Sequence, residues 1–443
     1  MPPAMEIGRE EVLGWYRRNR RRSEELFAMI PDPAYVDRPI PLRNPICFYE
    51  GHIPAFGVNT LLKRALGLPG LDPEYELLFE RGIDPEAPPD APAIAWPSRG
   101  EIKEYARSAD AALTGVFAER PLESEDNPLL RRGQAIYTVL EHEVMHQETL
   151  HYMWRRLAFD RKIKPRDAPQ LVLGTGRKRA PEAVTVPAGI ATVGALPEEI
   201  PFGWDNEFPK RAVSVEAFEI DVHNVTNAAF SEFIEAGGYA REDLWDPEGW
   251  AWVRSENVSH PSFWARGAQG FEWLGMFERI RLPPDWPVWV TQAEASAYAR
   301  WKGRRLPSEP EYHRAAFGTP SGEERPFPWG TEPADSTRGN FDFQNFEPVP
   351  VGSFPGGASA WGVHDLVGNG WEWTSTIFSG FAGFEPMASY PQYSVDFFDG
   401  RHYVLKGASP VTGRELVRRS LRNWFRPHYP HVYASFRCVG PAA

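Results

Sequence analysis

Two histidines one helical turn apart are the residues of this chain whose types and spacing best suit chemistry. His142 and His146 lie in LEHEVMHQETLHYM, residues 140–153. Each residue of an α-helix turns the chain by about 100°, so positions i and i+4 share one face. Both imidazoles can therefore reach one point, and imidazole nitrogen is a ligand for iron, zinc, copper and nickel alike. Glu148 and His151 would face other directions on such a helix.

A third ligand has to come from another segment, and His52 is the best candidate. It lies in FYEGHIPAF, residues 48–56, among aromatic and aliphatic side chains, where an imidazole needs a reason to be buried. Three nitrogen ligands would leave coordination positions for a substrate and for oxygen or water. The alternative is a hydrogen-bonded helix face without a metal. Glu143 and Glu148 are interpreted as solvent-facing residues or as partners of the ligand histidines rather than as ligands.

The composition describes a folded, acidic chain with material for more than one core. Its length of 443 residues predicts two or three domains, and 42% of the residues are hydrophobic. The 48 basic and 60 acidic residues leave a net charge of −12, which argues against nucleic acid as a partner.

Cysteine usage and the start of the chain bear on its compartment. Cys47 and Cys438 are nearly the whole chain apart, which excludes a disulfide framework and favours a reducing environment. The first residues lack the apolar core of a signal peptide. No run approaches the roughly 18 apolar residues of a membrane helix. We therefore expect a soluble cytoplasmic protein without a membrane partner.

Helical periodicity dominates the first part of the chain, and short strand-like segments dominate the rest. The basic, proline-containing stretch RKIKPRDAP at 161–169 separates the helical part of the sequence from the part with strand-like segments. This predicts a helical domain over 1–165 and a second domain over 166–443. Helices are predicted near 8–29, 48–66, 98–118, 127–158, 226–236 and 291–301, the last with a threonine cap.

Both halves of the chain resemble known folds. LEHEVMHQETLHYM, with FYEGHIPAF upstream, resembles the DinB-like helical bundle of the ergothioneine and ovothiol sulfoxide synthases. The second half is similar to the formylglycine-generating-enzyme-like, C-type-lectin-like fold, on the motifs RRLPSEPEYHRAA at 304–316, GVHDLVGNGWEWT at 362–374 and ASFRCVG at 434–440. The fold class implied is α+β, with an N-terminal DinB-like four-helix bundle followed by a formylglycine-generating-enzyme-like domain.

The resemblance implies a mononuclear non-heme Fe(II) held by His52, His142 and His146, with O2 as co-substrate. It implies attachment of a sulfur donor to the imidazole C2 carbon of a histidine derivative, usually hercynine, with a sulfoxide product. A related branch, the selenoneine synthases, joins a selenosugar to hercynine instead. The partners implied are therefore small molecules, namely hercynine and a thiol or selenol donor.

The second half of the family supplies much of the substrate pocket. Asn423 and Trp424 match the Asn-Trp pair that holds the trimethylammonium-bearing histidine, and a quaternary ammonium favours an aromatic face. The GNGWEWT motif, with Asn369 and Glu372, is interpreted as the structural centre of the fold rather than as catalytic residues.

Two positions depart from the synthases that use γ-glutamylcysteine. Phe425 follows the Asn-Trp pair, where those enzymes carry an acidic residue, and Met145 stands where they carry glutamine. Both changes weaken γ-glutamylcysteine as the donor and leave cysteine and a selenosugar open. A sugar donor would be favoured by the aromatic faces of Phe425, Tyr429 and Tyr433.

A proton donor near the metal is expected for bond formation coupled to oxygen reduction. Tyr393 matches a tyrosine-bearing loop of the family and is a candidate proton donor, with Tyr390 a close rival. The basic run Arg17, Arg18, Arg20, Arg21 and Arg22 is typical of a solvated helix face. The alternative function is a DinB-type divalent-metal-dependent thiol transferase without O2 chemistry. A non-catalytic binding module is disfavoured, because single-domain relatives of the second half usually lack a three-histidine bundle.

Overall fold

The computed structural model describes residues 8–80, 94–176 and 182–442, and the chain divides into two compact units. The first unit comprises Met1–Ala168 with Met387–Pro391, and the second comprises Pro169–Pro386 with Gln392–Ala443. The first is helical and the second combines short helices with small sheets, so the predicted α+β class is confirmed. Among the described residues, no helix is both long and apolar enough to cross a bilayer.

Four of the five α-helices described in the first unit form a bundle. α1 contacts α4 and α5, and α2 contacts the same two helices, which is the neighbour pattern of a four-helix bundle. The helices are α1 (Arg9–Ala28), α2 (Ile46–Gly57), α3 (Pro73–Leu78), α4 (Arg99–Glu119) and α5 (Gln134–Arg156).

The bounds of these helices follow from local signals. α1 and α4 begin and end within one residue of the predicted 8–29 and 98–118, and Ser98 forms a capping box with Glu101. α2 continues past Pro54 and passes into a π-helical segment, Val58–Ala65.

α5 begins later than the predicted residue 127. Arg132 and Gly133 have φ angles of 53° and 62°, a left-handed conformation that interrupts an α-helix. The helix therefore starts at Gln134.

The second unit is built from small sheets rather than one large one. β4 lies between β1 and β12, β2 pairs with β3, β6 lies between β5 and β7, and a four-stranded sheet has the order β10-β9-β8-β11. The strands are β1 (Ala183–Val186), β2 (Gly189–Val193), β3 (Arg211–Val215), β4 (Phe218–Asp221), β5 (Trp264–Gly267), β6 (Gly270–Leu274), β7 (Arg279–Arg281), β8 (Gly370–Ile377), β9 (Tyr403–Ala408), β10 (Asn423–Phe425), β11 (Ala434–Ser435) and β12 (Val439–Pro441).

Short capped helices connect these strands. Thr291 caps α8 in a capping box with Glu294, as the sequence predicts, and Ser308 does the same for α9 with Glu311. α7 and α9 were not predicted. Each carries a proline in its first turn, a residue that also marks turns and loops. The helices are α6 (Asn227–Glu235), α7 (Pro247–Ser255), α8 (Gln292–Trp301), α9 (Glu309–Phe317) and α10 (Gln392–Val395).

The GNGWEWT motif lies at the centre of the second unit. Glu372 and Arg437 form an ion pair at 2.6 Å in which both side chains are 0% exposed. Asn369, at φ 67°, accepts a hydrogen bond from the Val349 amide at 2.8 Å and donates to its carbonyl at 2.9 Å. These contacts join segments far apart in the chain, which supports the interpretation of the motif as structural.

Candidate metal centre

His52, His142 and His146 come together in the first unit. The Nε2 atoms of His52 and His146 are 3.2 Å apart, and those of His146 and His142 are 3.1 Å apart. The three potential ligand nitrogens all lie within 4.8 Å of one another. Two nitrogens that each lie about 2.1 Å from one ion are about 3–3.5 Å apart, so these separations fit a shared metal.

The helices explain this convergence. His142 and His146 are four residues apart on α5, which places both rings on one face. His52 is on α2, which packs against α5. His52 and His142 are buried and His146 is half-buried.

The protonation of the rings also suits metal binding. His52 Nδ1 donates a hydrogen bond to the Phe79 carbonyl at 2.7 Å, which leaves the lone pair on Nε2, the atom that faces the other histidines. Burial lowers the pKa of His52 to about 4 and lowers the pKa values of His142 and His146 well below their usual range. All three rings are therefore neutral near pH 7, as a metal ligand must be.

Aromatic rings hold the imidazoles in place. Phe56 stacks on His142 with ring centroids 3.5 Å apart, and Phe48 stacks on His52 at 5.0 Å. Tyr390, which belongs to the first unit, lies edge-on to His142 at 6.4 Å and contacts Phe56 at 5.4 Å. One candidate proton donor of the sequence analysis is therefore beside a candidate ligand.

Gly51 contributes to the centre in a way that the sequence alone does not reveal. A Cβ at Gly51 would lie 2.5 Å from two ring carbons of Phe79, the residue whose carbonyl binds His52. Phe79 itself is 0% exposed. No spacing signal links Phe79 to His52, because the contact joins residues 27 positions apart.

Other residues of α5 lie outside the cluster. Glu143 is buried, and it accepts hydrogen bonds from Arg20 Nη1 at 2.7 Å and from Ser23 Oγ at 2.6 Å. Glu143 is therefore not solvent-facing, and the prediction of a solvated face was wrong for Arg20. Met145 is half-buried beside His146.

His151 and Glu148 are both buried on α5 and do not belong to the three-histidine group. This agrees with their predicted directions on the helix.

In the second unit, the predicted substrate residues form β10, which pairs with β9. Trp424 stacks on Phe378 at 4.2 Å with an interplanar angle of 6°, and Tyr393 lies edge-on to it at 5.2 Å. Asn423 Oδ1 accepts a hydrogen bond from the Trp424 amide at 2.8 Å. Trp424 is half-buried.

The other aromatic residues divide into accessible and core positions. Phe425 and Tyr429 are half-buried and stack on each other at 4.8 Å. Tyr433 is 0% exposed and stacks on Trp289 at 4.3 Å, so its expected contact with a donor was wrong. Tyr393 is buried on α10 and stacks on Trp204 at 3.9 Å.

Comparisons with known families match both units. The DinB superfamily matches residues 16–150, and the Sulfatase-modifying factor enzyme 1-like domain matches residues 169–442. The second match covers more than half of the chain.

Three mycobacterial relatives are each named hercynine oxygenase. That of Mycobacterium tuberculosis is 39% identical, over 54% of this chain and 56% of that protein. Those of Mycolicibacterium smegmatis and Mycolicibacterium thermoresistibile are 35% and 33% identical, over 71% and 90% of this chain and 72% and 87% of those proteins. The predicted resemblance is confirmed: the chain belongs to the hercynine oxygenase family and is an oxidative enzyme of that type.

Proposed function

We propose that this chain is a mononuclear non-heme Fe(II) enzyme that uses O2 to form a C–S or C–Se bond at the imidazole C2 of hercynine. The convergence of His52, His142 and His146 in a member of the hercynine oxygenase family carries the proposal. The proposed donor is cysteine or a selenosugar rather than γ-glutamylcysteine. With a thiol donor, hercynine, the thiol and O2 give the sulfoxide and one water. C–S bond formation and sulfur oxidation each supply two of the four electrons.

The chain's own residues hold the metal and shield it. Bound iron would activate O2 and present a site to the donor's sulfur or selenium. Three neutral imidazoles suit Fe(II), and they leave coordination positions for O2 and for the sulfur or selenium of the donor. Phe48 and Phe56 cover the faces of two of the imidazoles, which keeps water from them and limits rotation of the rings.

Tyr390 is the proposed proton donor, and its contact with the His142 ring favours it over Tyr393. We expect Tyr390→Phe to slow product formation by about 10²–10⁴-fold, because a positioned general acid contributes that much. The iron content should not change. Tyr393→Phe is the matched control and should slow the reaction less. The assignment would be contradicted if Tyr390→Phe and Tyr393→Phe lowered the single-turnover rate equally, or if Tyr390→Phe did not lower it.

Asn423 and Trp424 are proposed to bind the trimethylammonium group of hercynine. Phe378 stacks on one face of the indole and so holds the ring in a fixed plane. We expect Trp424→Ala to weaken hercynine binding about 2- to 30-fold, which corresponds to about 0.5–2 kcal/mol of cation–π attraction. Anaerobic calorimetry of the iron-loaded protein measures this. Trp424→Phe keeps an aromatic face and should lose less, whereas an unchanged affinity in the alanine variant would reject the assignment.

The donor preference follows from the residue after the Asn-Trp pair. The α-ammonium of γ-glutamylcysteine needs a charged or hydrogen-bonding partner, and desolvating it without one is costly. Phe425 cannot accept a hydrogen bond, and its ring is stacked on Tyr429. The Met145 thioether is likewise a weaker acceptor than an amide oxygen.

One assay tests both the reaction and the donor. The iron-loaded protein is incubated in air with hercynine and equal concentrations of cysteine, γ-glutamylcysteine and a selenosugar. Products are identified by mass spectrometry, and O2 consumption is recorded. We expect O2-dependent products from cysteine or the selenosugar, and Phe425→Asp should increase the share from γ-glutamylcysteine. Preferential use of γ-glutamylcysteine by the unmodified protein would reject the donor assignment. Thiol transfer without O2 consumption would instead support the divalent-metal transferase.

A further inference from the structure

A second row of side chains on α5 is bound to α1 by polar contacts. Glu143 and Gln147 each follow one of the proposed ligand histidines, so their row lies about 100° around the helix from the histidine row. Both side chains are buried. The helix therefore presents one row to the proposed metal and another to its neighbour.

Directional hydrogen bonds connect this row to α1. Glu143 Oε1 accepts from Arg20 and Ser23, as described above. Gln147 Nε2 donates to the Asn19 carbonyl at 2.9 Å and to Ser23 Oγ at 3.1 Å.

Further polar contacts join α1 to α5 and to α4. The Asn19 side chain donates to the Leu140 carbonyl on α5 at 2.9 Å. Arg20 Nε is 2.9 Å from Asp110 Oδ1 on α4, and Asp110 also accepts a hydrogen bond from Tyr16 at 2.7 Å. α5 is thus attached through Arg20 to two other helices of the bundle.

Rotation of α5 is the motion that these contacts oppose. Side-chain tips lie about 5–6 Å from a helix axis, so a rotation of about 10° moves them by about 1 Å. Metal–ligand distances tolerate only about 0.2 Å. Apolar packing between α1 and α5 is not directional, whereas hydrogen bonds at fixed positions select one rotation.

We infer that the Arg20–Glu143 pair, with Gln147, sets the rotation of α5 and thereby directs His142 and His146 toward the metal. Arg20 and Glu143 are positioning residues, since they act through the helix and do not touch the metal. The inference rests on the proposed metal centre.

A double substitution separates positioning from stability. A buried charge left without its partner is destabilising, whereas replacing both partners by apolar residues often restores stability. Arg20→Met should therefore lower the thermal unfolding temperature. Arg20→Met with Glu143→Met should recover the part of this loss that comes from the buried Glu143, because Asp110, the other partner of Arg20, is partly exposed. If the pair directs the helix, the double variant should still bind Co(II) at least about tenfold more weakly than the unmodified protein. Its visible Co(II) absorption bands should also shift.

Two single substitutions serve as controls in the same Co(II) titration. Tyr16→Phe removes a part-buried hydrogen bond between α1 and α4 and no contact with α5, so it should keep the affinity and the spectrum. Glu143→Gln keeps the shape and an acceptor oxygen, so it should retain the affinity within about threefold while Glu143→Met does not. This comparison decides the question even where the double variant fails to fold.

The outcomes distinguish this inference from the proposed function. If the double variant or Glu143→Met binds Co(II) with the same affinity and the same absorption spectrum as the unmodified protein, the pair contributes to stability alone. Absence of Co(II) binding by the unmodified protein would overturn both the metal centre and the inference.

Discussion

Alanine at His52, His142 or His146 is expected to remove the metal and the activity while the bundle stays folded. Each imidazole supplies one of the three nitrogens that converge within 4.8 Å, and a methyl group cannot replace it. Loss of a residue that only supports a ligand lowers metal affinity about 10–100-fold, so loss of a ligand itself should exceed about 100-fold. Metal content by mass spectrometry, together with thermal unfolding, measures both effects.

His151 provides the control for this series. It lies on the same helix as His142 and His146 and is buried, but it is outside the cluster. His151→Ala should therefore retain the metal even if it lowers the unfolding temperature. A His52→Ala protein with full metal occupancy and activity would remove that histidine from the proposed site.

Gly51→Ala is expected to lower metal affinity about 10–100-fold, although Gly51 has no side chain to contact the metal. The added Cβ would lie 2.5 Å from ring carbons of Phe79. That ring is buried and packs against Phe48 and Trp96, so it cannot move away without moving its own backbone. The Phe79 carbonyl, which holds His52 Nδ1, would then shift. Anaerobic Fe(II) titration measures the change in affinity.

Gly57→Ala is the matched control on the same helix. There the new Cβ would meet a terminal methyl of Leu113 at 2.7 Å, the far end of a flexible side chain. We expect a loss of stability of about 1–3 kcal/mol from overpacking, with the metal affinity retained. If Gly51→Ala binds Fe(II) as tightly as the unmodified protein, the Phe79 carbonyl does not control the orientation of His52.

The candidate metal residues were identified from local properties of the sequence. The spacing of His142 and His146 and the apolar surroundings of His52 are visible without any fold, because helical periodicity depends only on residues a few positions apart. The same is true of α1, α4 and the capped helix α8, whose signals are local. The family motifs added the pairing of a helical bundle with a second domain.

Tertiary packing decided the rest. The basic run was predicted to be solvated, but Arg20 is bound to Glu143. No local pattern could predict this contact, because Glu143 is 123 positions away. Tyr433 is indistinguishable from Tyr429 by residue type, yet only Tyr433 is enclosed by the core of its unit.

Tyr390 and the support of His52 show the same limit. Tyr390 and Tyr393 are three residues apart, but they lie in different units of the fold. The carbonyl that accepts the hydrogen bond of His52 belongs to Phe79, which is placed there because its ring packs against Gly51. Residue types and short spacings determined which side chains could bind a metal. Contacts between residues far apart in the chain determined how those side chains are oriented, because burial and hydrogen bonding depend on neighbours that no local pattern encodes.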